Sequence, residues 1–95
     1  MIISQVTLSD VKDFCGISDN ESDRLIQDYG MPAARDFIIG FTGLSADEID
    51  LHEDLTIAYM TIIDEMHTQR EFTVNKDRLN PTVSTILGMY AVNYL

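Results

Sequence analysis

Residues 7 to 43 carry helix-start and helix-stop signals so closely spaced that the segment is expected to fold as short helices around a bend. Thr7, followed three residues later by Asp10, reads as an N-cap with an acid in the first turn. Leu8, Val11 and Phe14 then recur at helical spacing until Gly16, which predicts a first helix at about residues 8–15. Asp19-Asn20-Glu21-Ser22-Asp23 supplies the next cap and places acids near the positive end of a second helix. Leu25, Tyr29, Ala33, Phe37 and Phe41 recur every fourth residue as its expected core stripe, and Gly43 stands where a left-handed C-terminal cap is wanted. This helix is expected over about residues 20–42. Pro32 removes a backbone donor and crowds the preceding turn, so with Gly30 it predicts a kink near Pro32. Straight, the helix would span about 34 Å, roughly the diameter of a domain of this size, and the kink would let it wrap the core.

The second half continues in the same manner. Ser45-Ala46-Asp47-Glu48 is a small cap-and-acid signal that predicts one helical turn near residues 45–49. A third main helix is expected from about residue 53 to 71, with Leu55, Ala58, Tyr59, Ile62, Ile63 and Met66 as a wide apolar stripe. Ile57 and Met60 extend its apolar character around the other side, which marks it as the central helix. Tyr29, Tyr59, Met60 and Met66 are most simply core, whereas Met31, Met89, Tyr90 and Tyr94 lie near breaks or the terminus, where interface is as good a reading as core. Residues 72–79 form a connector with a turn-like Asn75-Lys76-Asp77. Asn80-Pro81 then gives the cap and first-turn preference of a last helix at about 81–90, carrying Val83, Ile86, Leu87 and Tyr90. Residues 90–95 fit a period of two or of four, so strand and helix both stay open there. No repeat, low-complexity tract or linker divides the chain. The expected fold is all-α: a small bundle of four main helices in a single domain, 1–95.

Ninety-five residues suffice for one core, and 45% hydrophobic with 23% charged residues is the balance of an ordinary folded domain that needs no metal or disulfide. Cys15 has no second cysteine to pair with, so it reads as a small buried apolar side chain in a reduced, cytoplasmic setting. No apolar run approaches the length of a membrane span, and the N-terminus lacks the basic start and apolar core of a signal peptide, so a soluble chain with no membrane contact is expected. Sixteen acids against six bases leave a charge of -10, which repels phosphates and argues against sequence-specific nucleic-acid binding. Residues 1–50 hold ten of the acids and three of the bases. A basic partner fits that imbalance better.

Few residues look like reaction chemistry. Asp64 and His67 stand one turn apart, as in some carboxylate-bridged metal sites, but no second acid-x-x-His element accompanies them. A solvated stripe, with His67 near Arg70, is the simpler reading. Asp19, Glu21 and Asp23 alternate like the start of a calcium loop, yet Arg24 occupies the position that needs glycine and no glutamate holds the twelfth, so a helix cap is favoured. Phosphate loop, nucleophile elbow and CxxC pair are all missing from the sequence. Neither catalytic nor metal residues, nor a cofactor, are expected.

The order of these motifs resembles a known family. Val11-Lys12-Asp13-Phe14, the acidic step from Asp19 to Asp23, Leu25-Ile26, Ala33-Ala34-Arg35-Asp36-Phe37-Ile38 and Thr42-Gly43 look like the head-tail connector (adaptor) proteins of tailed phages and prophages. Leu51-His52-Glu53-Asp54-Leu55 opening a long apolar helix, the polar loop after Arg70-Glu71, and a final helix with Val83, Ile86 and Leu87 agree with it. Two departures stand out: Gly30-Met31-Pro32 interrupts a helix that relatives usually run through, and His52 replaces a common helix-starting proline.

The resemblance implies a non-enzymatic structural adaptor of the virion neck. Such a subunit assembles as a ring under the portal protein, joining the DNA-filled head to a downstream neck or tail-completion protein after DNA packaging. Assembly would take place in the bacterial host cytoplasm, and the free chain could be monomeric. On that reading the acid-rich first half meets Arg70, Lys76 and Arg78 of a neighbour, and Phe72, Val74, Tyr90, Tyr94 and Leu95 complete the subunit or partner interface. From a different class, a small acidic helical regulator binding a basic surface of a partner protein also fits the composition.

Overall fold

The computed structural model describes residues 1–69 and 79–91. A 3-10 turn at Ile3–Gln5 precedes α1 (Leu8–Cys15), α2 (Asp23–Leu25), a π turn at Ile26–Gly30, α3 (Met31–Thr42), α4 (Ala46–Ile49), α5 (Asp54–Gln69) and α6 (Pro81–Tyr90). The described residues contain no strand.

The caps follow from local chemistry. The Thr7 hydroxyl accepts from the Asp10 N–H at 3.2 Å while the Asp10 carboxylate accepts from the Thr7 N–H at 2.9 Å, a reciprocal box that satisfies two otherwise orphaned donors. Ser45 and Glu48 repeat the arrangement at α4. Asn80 accepts from the Thr82 N–H at 2.8 Å, with Pro81 opening α6. Gly16 and Gly43 close α1 and α3 in the left-handed region, at φ 73° and 76°, where a Cβ would be strained.

The second helix starts later and faces differently from its sequence expectation. It begins at Asp23 rather than near residue 20, and the irregularity expected around Gly30 and Pro32 takes the form of a backbone widened one turn ahead, over Ile26–Gly30. The Met31 N–H bonds the Ile26 carbonyl, five residues back, which makes room for a proline ring that would crowd a normal α turn. The core stripe is Ile26, Gly30, Ala34, Ile38 and Thr42. At 3.6 residues per turn, four such steps would drift about 160° around an ideal helix. The wider π turn rotates less per residue and takes back part of that drift. The expected stripe lies one residue to the side: Leu25 is 41% and Tyr29 63% exposed, correcting their assignment to the core. Ala33, Phe37 and Phe41 pack against the flank of the core, and the Phe37 and Phe41 rings lie 5.8 Å apart. Phe14 of α1 is likewise more exposed than expected, and Val11 is fully buried while Leu8 and Cys15 pack against the edge of the core.

α5 is the central helix. It packs against the 3-10 turn, α1, the π turn, α3 and α6, and buries Leu55, Thr56, Ala58, Tyr59, Ile62, Ile63 and Met66. Each fully buried large aliphatic side chain contributes about 1.5–3 kcal/mol of transfer free energy. Met60 is half-buried. The hydroxyls of the two buried threonines are satisfied: Thr42 donates to the Ile38 carbonyl at 2.7 Å and accepts from the Leu44 N–H, while Thr56 donates to the Met1 carbonyl at 2.7 Å. The latter bond brings the N-terminal segment over the start of α5, where Ile3 and Val6 join the core.

Candidate partner-binding surfaces

Of the residues expected at the interface, Tyr90 is described; Arg70, Phe72, Val74, Lys76, Arg78, Tyr94 and Leu95 lie outside the described residues, as do residues 72–78 of the connector and 92–95 of the open end. Tyr90 ends α6 and is half-buried. Its hydroxyl donates to the Asp54 carboxylate at 2.6–2.7 Å, and its ring lies 4.3 Å from the His52 imidazole. The hydrogen bond to Asp54, then burial and the Asp54 charge, hold the phenol above its ordinary pKa. The contact joins the end of α6 to the beginning of α5, so these consecutive helices run antiparallel. Met89 beside it is exposed, and Met31 is half-buried.

The acidic step between α1 and α2 is a structural joint. Lys12 Nζ sits 2.8 Å from Asp23 Oδ1 and donates to Asn20 Oδ1 at 2.8 Å, while Asp19 accepts from the Glu21 N–H. Ser22, in the cap position, makes no side-chain cap bond. Arg24 pairs with Asp28 one turn along at 3.4 Å. With Glu71 and Asp77 set aside, fourteen acids remain; with Arg70, Lys76 and Arg78 set aside, three bases remain. Two of those three bases, Lys12 and Arg24, already hold carboxylates of their own chain.

Asp64 and His67 face the α1–α2 loop and, with Cys15, Ser18, Asp19 and Thr68, line an open depression of about 380 Å³. Cys15, expected as a small buried apolar side chain, is half-buried: it packs against the core and shares this depression with the Asp64 carboxylate. Burial, followed by the charge and hydrogen bond of Asp64, pushes the thiol up to about 12. It therefore stays protonated at neutral pH and is a poor nucleophile. Among the described residues no three His, Cys, Asp or Glu side chains are grouped to hold a metal ion, and no helix is long and apolar enough to cross a membrane.

A third surface was visible in the sequence only as surplus apolar character. Met1, Glu53, Asp54, Thr56, Ile57 and Met60 enclose a groove of about 400 Å³ along the first turns of α5. Ile57 is 50% exposed on an otherwise well-buried helix, and Leu51, two residues before Glu53, is 76% exposed.

These features define a small, strongly acidic, all-helical protein whose outward residues are suited to contact rather than reaction. Residues 5–90 match the family model of the phage gp6-like head-tail connector protein, and the chain belongs to that family. It is thus a phage head-tail connector, a structural component of the virion neck. No curated protein and no solved structure matches the chain.

Proposed function

We propose that this chain acts as one domain and assembles as a ring under the portal protein, between the DNA-filled head and a downstream neck or tail-completion protein. The observation that carries the reading is the family match over residues 5–90. The distribution of charge supports self-association: residues 70–78 hold half the bases of the chain, Arg70, Lys76 and Arg78, against Glu71 and Asp77, while the remainder has three bases and fourteen acids. Head-to-tail contacts of this heterologous kind close into rings where the rotation between neighbours returns the last subunit to the first. Acidic residues facing the ring's channel would repel DNA phosphates and let the duplex slide. Assembly takes place in the bacterial host cytoplasm and ends in the virion.

The interface is formed by Arg70, Phe72, Val74, Lys76 and Arg78 with Tyr90, Tyr94 and Leu95. Sedimentation at low salt tests the self-contact: Arg78→Glu should weaken association, and assembly identical to wild type would sink the electrostatic contact. Deleting Val92–Leu95 should leave the helical fold intact and reduce docking to portal. Loss of the monomer fold on that deletion would instead assign the tail to the core.

A further inference from the structure

The groove on the first turns of α5 has an apolar floor, Ile57 and Met60, and an acidic rim at Glu53, which is 78% exposed and 3.5 Å from the Met1 ammonium, and Asp54, which accepts from the Tyr90 hydroxyl. Nothing in the described fold requires Ile57 to stand half in water, since the core stripe of α5 is complete without it. A matching ligand presents apolar side chains interleaved with cations. This chain contains one such run at alternate positions, Arg70, Phe72, Val74, Lys76 and Arg78, with Glu71 and Asp77 at intervening positions and a net charge of +1. Outside it, Lys12 and Arg24 are already paired with Asp23 and Asp28.

Chain length argues that the occupant comes from another copy. Residue 70 follows the end of α5, about 18 Å along the helix from Ile57 at 1.5 Å per residue. Because Tyr90 meets Asp54, α6 starts about 14 Å away from the groove end of α5 as well. Eleven residues, 70–80, join the two helices and reach about 40 Å when fully stretched, but Phe72, three residues past Gln69, reaches only about 10 Å of the way back along α5 toward its own Ile57. A neighbouring copy has no such constraint. Donor segment and acceptor groove thus sit toward opposite ends of the central helix, the arrangement a heterologous contact needs.

We infer that the groove formed by Met1, Glu53, Ile57 and Met60 is the acceptor for the 70–78 segment of a second copy of this chain. Phe72 and Val74 enter the apolar floor, and the cations meet the acidic rim. This rests on the ring reading above and specifies which face of the subunit carries it.

Disulfide trapping in a Cys15→Ser background tests the assignment at low ionic strength with a mild oxidant. Chains carrying Ile57→Cys are mixed with chains carrying Phe72→Cys, and a third protein carries both substitutions. The expected result is a mixed dimer from the first mixture that falls at least tenfold when Glu53→Lys is added to the Ile57→Cys chain. Cross-linking only within single doubly substituted chains would overturn it, because the groove would then hold its own connector. No cross-link while wild-type chains sediment as oligomers would overturn the groove and leave the ring reading standing. No cross-link with wild-type chains strictly monomeric in the same buffer would count against both. Circular dichroism of each variant verifies the fold, and Ile57→Val, which keeps the apolar floor, should sediment as wild type.

Discussion

Replacing Lys12 by Met keeps the apolar stem of the side chain and removes only its charge and donors, which isolates the joint between α1 and α2. The Lys12 side chain is 14% and that of Asp23 31% exposed, with 2.8 Å between Nζ and Oδ1. Exposed pairs of this kind are worth about 0.2–1 kcal/mol, whereas breaking a buried pair costs about 3–5 kcal/mol. The intermediate burial, together with the lost bond to Asn20, places Lys12→Met at about 2 kcal/mol. For a chain of this size that is a fall in Tm of about 8–16 °C. Urea unfolding followed at 222 nm measures it, and the midpoint should move down by about 1–2 M at a slope typical of small proteins. Asp23→Asn alone should cost less, because the ammonium reaches water more easily on its long stem. The double variant should lose clearly less than the sum of the two, with a coupling of about 1–2 kcal/mol. A Lys12→Met effect below about 0.5 kcal/mol, or strict additivity, would refute the claim that this pair fastens the two helices.

The remaining expectations probe the core and the titrating groups. Ile38→Ala should destabilise by about 2–5 kcal/mol, while Tyr29→Ala should stay within about 0.5 kcal/mol; the reverse order in urea unfolding would return the stripe to its sequence-based position. Because the Cys15 pKa lies near 12 instead of 9.0, maleimide labelling at neutral pH should run about two to three orders of magnitude slower than at an unhindered thiol, and labelling at the ordinary rate would remove the Asp64 contact. Cys15 and Tyr59 both favour the fold while protonated, since both folded values, near 12, exceed the ordinary 9.0 and 10.0. Their contribution is complete below pH 9 and is lost as pH rises through 12, so alkaline unfolding should set in over that window and be delayed by Cys15→Ser. Tyr90→Phe, which loses the bond to Asp54, should speed hydrogen exchange selectively at the end of α6; unchanged exchange there would make the contact energetically idle.

The helix ends were legible because capping is local. Thr7 with Asp10, Ser45 with Glu48, Asn80 with Thr82 and the left-handed Gly16 and Gly43 all act within a few residues of themselves, so spacing alone exposes them. The phase of the 23–42 segment was not. Two period-four stripes run side by side, and which one turns inward depends on the π turn and on what α5 presents, both of which are tertiary facts. Its aromatic residues drew attention to Tyr29, while the buried positions went to Ile26, Gly30 and Thr42, the last an alcohol satisfied only by a backbone partner one turn back. The surfaces were harder still. Lys12 and Asp23 are eleven positions apart and Asp54 and Tyr90 thirty-six, so neither pairing leaves a periodic trace. Ile57 was visible as apolar surplus on the central helix, but its exposure belongs to the packed fold.

The central claim is that this acidic helical chain is a subunit of the ring joining head to tail. Its most direct test is the solution mass of the chain mixed with the purified portal protein of the same phage or prophage. A subunit of that ring should form a stable complex holding several copies of the chain on each portal ring, visible as an added layer in projection images. A chain that stays separate from portal at low salt and in molar excess, or binds some other basic protein as a single dimer, would contradict it.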